Sequence, residues 1–248
     1  MLTRKDIEDV IKDSGIKKGD NLFCHTDLSK LKKLDLNYKF LPELVYKSLI
    51  NKIGKEGTLV VPTFTYSFCN KKIFDIKNFY TPCGSFSNYI KNLKNSKIYA
   101  DPNVSVAIVG KNKKYFSENP TINTYDLNSF FDRFFKKGGK ICNINLDVTS
   151  TFIHYFERKL SVKYRFDKVF YGKIKLKNKL IKKKSIIFVK YLKKENNQNL
   201  RKFILKSKKY TYSRKKKNFF INTINIKDYY RIIKINLIRD KNFLINKN

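Results

Sequence analysis

Apolar positions along the first two-thirds of the chain alternate between a helical rhythm and short continuous runs. Ile7, Val10 and Ile11 repeat at helical spacing. Thr3-x-x-Asp6 ahead of them reads as a capping box, and Gly15 closes the segment. Asn21 to Cys24 is a short apolar run of strand type, and His25-Thr-Asp-Leu-Ser29 after it reads as a polar turn. Pro42 suits the first turn of a helix that buries Leu44, Val45, Leu49 and Ile53, with Gly54 just past its end. Gly57 to Val61 predicts a strand stopped by Pro62. Phe86 to Leu93 predicts a short helix with Ser85 as N-cap. Val104 to Val109 and Gly139 to Ile144 are two further buried strands, and a helix around His154 follows the second.

From Val169 onward the rhythm changes. Lys173-Ile-Lys-Leu-Lys177 alternates with period two, a turn is expected near Asn178, and Ser185 to Val189 supplies the partner strand. Leu200, Phe203 and Ile204 mark another helix, and Phe219 to Ile245 combines a strand with a helix around Tyr229 to Ile235. Strands alternating with helices, followed by hairpins, predict an α/β fold: a mixed sheet core with antiparallel additions in the C-terminal part. No repeat or low-complexity linker divides the chain, so residues 1–248 are expected to form a single domain.

Composition adds exclusions. A hydrophobic content of 42% is that of a folded protein, and no apolar run approaches the ~18 residues of a membrane span. The polar N-terminus resembles neither a secretory signal nor a transit peptide, so a cytoplasmic location is expected. Cys24, Cys69, Cys83 and Cys142 are widely spaced, which argues against a metal centre or a disulfide framework. The net charge of +35 suggests a nucleic-acid binder. Against that, the cations are 47 Lys and only 8 Arg, spread along the chain, and no nucleic-acid module is recognisable. The charge still favours anionic small molecules over polycations.

The candidate chemistry lies in Thr151-Phe-Ile-His-Tyr-Phe-Glu157, which holds one of only two histidines. On a helix His154 and Glu157 share a face, where a carboxylate can orient an imidazole that works as a base near neutral pH. The plainer alternative is a half-buried aromatic residue beside a solvated carboxylate. Cys24 and His25 are adjacent on a strand and point to opposite faces, so a Cys/His nucleophile pair is not expected.

Five segments in order resemble the antibiotic N-acetyltransferase family, whose founding members are the aminoglycoside 3-N-acetyltransferases. They are residues 19–31, 57–65, Phe74-Asp75 with Thr81-Pro-Cys-Gly84, Asp101 to Gly110, and Thr151 to Glu157 followed by Val162-Lys-Tyr-Arg165 and Lys168. The likeness spans nearly the whole chain, and the wording is nearest to members linked to surface-polysaccharide biosynthesis. The resemblance implies a fold distinct from the GNAT acetyltransferases, with acetyl-coenzyme A as co-substrate, no metal, and an amine on a sugar as acceptor. It further implies His154 as general base supported by Glu157. His25, Thr26, Ser29, Thr63 and Ser105 would line the coenzyme side, and Thr65, Asp75 and Asp101 the acceptor side. Asp75 and Asp101 are equally readable as turn or cap residues. A backbone N–H, or a hydroxyl such as that of Ser105 or Thr151, could stabilise the developing oxyanion.

The departures concern the acceptor side. The family's Arg-Ser-x-His-Pro reads Ile98-Tyr-Ala-Asp-Pro102, the second serine of its His-Ser-Ser-Leu is Asp27, and its glycine-rich turn reads Asn145 to Ser150. With the positive charge, they favour a nucleotide-linked or glycan amino sugar as acceptor. Aminoglycoside resistance, a non-catalytic basic nucleic-acid-binding protein and a degenerate, inactive family member remain alternatives. The oligomeric state stays open, a homo-oligomer included.

Overall fold

The computed structural model describes residues 1–31, 37–177, 179–192 and 198–246. The turn expected near Asn178 lies outside the described residues. The elements are α1 (Arg4–Lys12), β1 (Asn21–Thr26), α2 (Leu41–Ile53), β2 (Thr58–Pro62), β3 (Phe74–Asp75), α3 (Ser85–Lys91), β4 (Lys97–Tyr99), β5 (Val106–Gly110) and α4 (Lys113–Phe116). They continue with α5 (Phe130–Lys137), β6 (Lys140–Ile144), α6 (Phe152–Lys159), β7 (Arg165–Leu176), β8 (Lys179–Lys190), α7 (Arg201–Ser207), β9 (Tyr212–Lys216), β10 (Phe219–Asn225) and α8 (Ile226–Arg239).

A seven-stranded mixed sheet in the order β4-β5-β2-β1-β6-β10-β9 forms the middle layer. β1 pairs in parallel with β2 on one side and β6 on the other, and the remaining pairs are antiparallel. Strand alternation sorts the apolar side chains to two faces. Leu22, Cys24, Leu59, Val61, Ala107, Val109, Cys142 and Ile144 meet α1, α2 and α3. Phe23, Val60, Val106, Ile108 and Ile141 meet the aromatic cluster of α5, α6 and α8. The strands read as continuous apolar runs because both faces are covered.

Local chemistry sets several boundaries. The Thr3–Asp6 capping box forms as expected, with Asp6 N donating to Thr3 Oγ1 and Thr3 N to Asp6 Oδ2. Pro42 sits in the first turn of α2, and Gly54 ends that helix at φ 67°. Two expectations need correction. His25 and Thr26 are not the start of a turn but the end of β1, because they pair with Asn143 and Ile144 of β6. Ser85 is the first residue of α3 rather than its cap; Gly84, at φ 94°, takes that place. On the other side of β2 the mixed sheet is extended by β5, antiparallel to β2, and by β4, antiparallel to β5. Among the described residues, no helix is long and apolar enough to cross a membrane.

β7 and β8 form a ribbon outside the main sheet, paired from Arg165↔Lys190 to Leu176↔Lys179, with β3 added in parallel at Ile174 and Lys175.

Candidate active site

The parallel strands β1, β2 and β6 end on one side of the sheet, at Thr26, Pro62 and Ile144. β1 has its parallel partners on both sides, with α2, which joins it to β2, on one face and α5, which leads into β6, on the other. At such a switch point the connections diverge and leave a crevice beyond the carboxyl ends. Two adjoining cavities occupy it. One of about 250 Å³ is lined by residues that include His154, Thr149, Ser150 and Leu200. The other, about 700 Å³, is lined by residues that include Thr26, Ser29, Tyr38, Phe64 and Cys83. His25, Leu146 and Thr151 line both and form the passage between them.

His154 is presented by α6, which Phe152 and Phe156 anchor in the aromatic core. Phe152 packs on Phe23, Phe131 and Phe134 at centroid distances of 5.1, 5.0 and 5.2 Å. Burying rings of this size contributes roughly 1.5–3 kcal/mol each, which fixes the helix against the sheet. His154 keeps 25% of its side chain exposed, while Glu157 one turn on is fully buried. Glu157 Oε2 lies 2.8 Å from His154 Nδ1 and 2.6 Å from Arg165 Nε; Tyr164 donates its hydroxyl to Oε1 at 3.0 Å. The Arg165 contact is an ion pair off the line of a directed hydrogen bond, and its Nη1 donates to the Phe188 carbonyl at 3.1 Å. A carboxylate paired with a guanidinium accepts hydrogen bonds and does not donate them. In the neutral imidazole that partner selects the tautomer with the proton on Nδ1 and the lone pair on Nε2. Tyr125 packs edge-on against the same imidazole at 5.9 Å.

The loop after β6 carries the rest of the crevice wall. Asn145 takes φ 55°, and its side chain accepts from Phe220 N at 2.9 Å. Asn143 donates to the carbonyls of Asp147 and, at 2.7 Å, Thr149. Ser150 N donates to the Tyr229 hydroxyl at 3.0 Å, and Ser150 Oγ lies 3.3 Å from His25 Nε2. His25 packs edge-on against Phe23 at 4.8 Å. Burial pushes its pKa down to about 4, so it is neutral around pH 7. Asp27 accepts from Ser29 at 2.5 Å and pairs with Lys30 at 3.0 Å.

The residues singled out in the sequence divide between the crevice and other places. His25, Thr26, Ser29 and His154 line its cavities, and Glu157 stands behind His154. Thr63 and Ser105 line neither cavity. Both are fully buried, Thr63 Oγ1 donates to Ser105 Oγ at 3.2 Å, and Ser105 Oγ donates to the Thr63 carbonyl at 2.6 Å. Thr65 donates to the Pro102 carbonyl at 2.9 Å. Asp75 accepts from Lys77 N and Asn78 N and pairs with Lys175. Asp101 is buried, accepting from Asn103 N, Val104 N and Thr124 Oγ1, each at 2.8 Å. Burial raises its carboxyl above the ordinary range against those bonds. Cys24 and Cys142 are buried neighbours across β1 and β6, and burial drives the Cys24 thiol well up.

Arg165, Tyr164, Tyr125 and Ser150 are site residues that single-residue reasoning did not assign. The first two lay within Val162-Lys-Tyr-Arg165, whose motif was visible although its contact with Glu157 was not.

Residues 23–226 match the family model described as aminoglycoside 3-N-acetyltransferase. No curated protein matches the chain. Solved structures of similar fold include AAC-VIa bound to sisomicin, with 15% identity, TM-score 0.79 and coverage of 96% of this chain and 98% of that one. Aminoglycoside acetyltransferase AAC(3)-Xa matches at 15% identity and TM-score 0.80, over 100% and 95% of the two chains. AAC-IIIb in a binary complex with CoASH matches at 13% identity and TM-score 0.78, over 96% and 97%. By its family match, which runs from the middle of β1 to the start of α8, the chain belongs to the aminoglycoside 3-N-acetyltransferase family and is an N-acetyltransferase.

Proposed function

We propose that the protein transfers an acetyl group from acetyl-coenzyme A to an amine on a sugar by direct attack, with His154 as general base. The observation that carries this reading is the His154 imidazole, its Nδ1 2.8 Å from fully buried Glu157, at the edge of a two-chambered crevice. An ammonium cannot attack a thioester, and a base that takes the amine proton during attack contributes ~10²–10⁴-fold. Acetyl-coenzyme A supplies the activated acyl thioester. The larger chamber fits such a co-substrate: it is open and includes the His25 and Thr26 end of β1, and its one carboxylate, Asp27, is already neutralised by Lys30. His154 Nε2 accepts the amine proton and returns it to the departing sulfur. The Thr151 hydroxyl, which lines both chambers, would donate where negative charge develops on the acyl oxygen. His25, neutral and tied to Ser150, shapes the passage without competing for the proton.

For the acceptor, we favour a nucleotide-linked or glycan amino sugar. A polycationic aminoglycoside calls for several carboxylates, whereas the described lining of the two chambers offers Asp27 alone, on a chain of net charge +35. The second reading, aminoglycoside acetylation, is favoured by the family description and by the sisomicin bound to AAC-VIa. Coenzyme A release, followed with a thiol reagent against an enzyme-only blank, separates the two on a panel of nucleotide sugars, glycan amino sugars and aminoglycosides. Turnover of the sugars that vanishes in His154→Ala is expected. Efficient turnover of aminoglycosides beside weak turnover of the sugars would overturn the acceptor assignment, and undiminished turnover in His154→Ala would overturn the base.

A further inference from the structure

The β7–β8 ribbon has a composition unlike the rest of the fold. Residues 168–192 hold nine lysines and neither Asp nor Glu. Among the described residues, Lys175 is ion-paired with Asp75, while no carboxylate pairs with Lys173, Lys182, Lys183 or Lys184. On one face of the ribbon the register sets Tyr171 opposite Lys184, Lys173 opposite Lys182, and Lys175 opposite Leu180. Apolar side chains stand in the open beside these cations: Tyr171 is 75% exposed, Leu180 52% and Val169 43%. A shallow hollow of about 480 Å³ runs between Tyr171, Gly172 and Lys173 on one strand and Lys182, Lys183 and Lys184 on the other. The opposite face is not free in the same way, since a Cβ on Gly172 would lie 2.4 Å from the Phe68 ring.

Guarding a strand edge with lysine is a common defence against aggregation and accounts for Lys182 to Lys184 on β8. It does not account for the lysines of β7 or for the exposed Tyr171, Leu180 and Val169, which a purely defensive edge would avoid. Cations on long apolar stems around an exposed tyrosine and aliphatic residues suit the boundary between anionic headgroups and acyl chains. A nucleic-acid face would draw on Arg and several stacking rings, and this face has Tyr171 alone and no Arg between residues 168 and 192.

We propose that this face of the β7–β8 ribbon docks the protein peripherally on an anionic phospholipid surface, with Lys173, Lys182 and Lys184 over the headgroups and Tyr171 and Leu180 at the interface. Each lysine near such a surface is worth about fivefold in partition. Co-sedimentation of the full chain with phosphatidylglycerol vesicles and with phosphatidylcholine vesicles, near 0.1 M salt, tests it. Binding to the first and not the second is expected. The triple variant Lys173→Glu/Lys182→Glu/Lys184→Glu is expected to weaken partition at least ~100-fold, from three such contributions. The variant Lys17→Glu/Lys18→Glu/Lys55→Glu, equal in charge and remote from the ribbon, is expected to weaken it far less. Tyr171→Ala/Leu180→Ala is expected to weaken binding while preserving its salt dependence. Equal loss in both triple variants would mean bulk charge alone and would overturn the proposal. So would absence of vesicle binding, tighter ribbon-dependent binding to duplex RNA, or a dimer that dissociates when the ribbon is altered. Circular dichroism on all variants excludes unfolding as the cause.

Discussion

The two histidines share one crevice and have contrasting surroundings. His154 leans on a fully buried carboxylate that a guanidinium and a phenol hold in place. His25 meets a hydroxyl and an aromatic edge, and burial without a charged partner drives its pKa to about 4. Of the two, only His154 has a carboxylate within hydrogen-bond reach. The same residue type thus faces a buried carboxylate in one wall and is a neutral polar fitting in the other, and the neighbours decide which.

Substitutions that break this contrast should have graded effects. Exchanging His154 for Ala or Gln is expected to lower kcat by ~10²–10⁴-fold with little change in melting temperature, read from steady-state kinetics and thermal unfolding. Glu157→Gln should damage both activity and stability. The amide can no longer enforce the tautomer, and Arg165 is left as a buried charge without its partner, a loss of about 3–5 kcal/mol measurable by denaturant unfolding. Full stability in that variant would show that Arg165 finds water or another acceptor.

His25→Gln sharpens the comparison through pH. The folded-state pKa of about 4 lies below the ordinary 6.5, so the unfolded chain binds the proton more readily than the native one. Stability should therefore be intact above pH 6.5, fall as pH drops below it, and level off below about 4. The change is about 3 kcal/mol from a shift of this size. His25→Gln should flatten that part of the stability–pH curve relative to the parent chain, and parallel curves would refute the assignment. The smallest effect is expected from Tyr164→Phe, which removes one hydroxyl donor to the ionised Glu157 and should cost about 1.5–3 kcal/mol of stability, with activity reduced by less than His154→Ala.

Much of the architecture was legible because its signals are local. Thr3 and Asp6 form their capping box within four residues, and Pro42 and Gly54 bracket a helix by their own backbone limits. The runs at Leu59–Val61 and Ile141–Ile144 declare strands covered on both faces. The pair His154 and Glu157 was visible because a helix turn brings i and i+3 together. Less could be read wherever a residue's surroundings come from distant chain. Thr63 and Ser105 find each other across 42 residues, and Thr124 reaches Asp101 across 23. Whether those hydroxyls and that carboxylate face a crevice or one another depends on how β2, β5 and the loops beside them pack. His25 reads as a turn residue from its polar neighbours and is a strand residue because β6 offers it Asn143 as a partner.

By itself the sequence determined the alternation of strands and helices, the caps, the lysine-rich ribbon and the spacing that lets an imidazole meet a carboxylate. These follow from backbone geometry and side-chain periodicity over a few residues. Only the tertiary structure decided that Glu157 is buried and faces Arg165, that β1 has parallel neighbours on both sides and so opens a crevice at its end, and that His25 loses water without gaining a charge. Burial, counter-charge and cavity shape are properties of the space between segments, and that space exists only once the layers have packed.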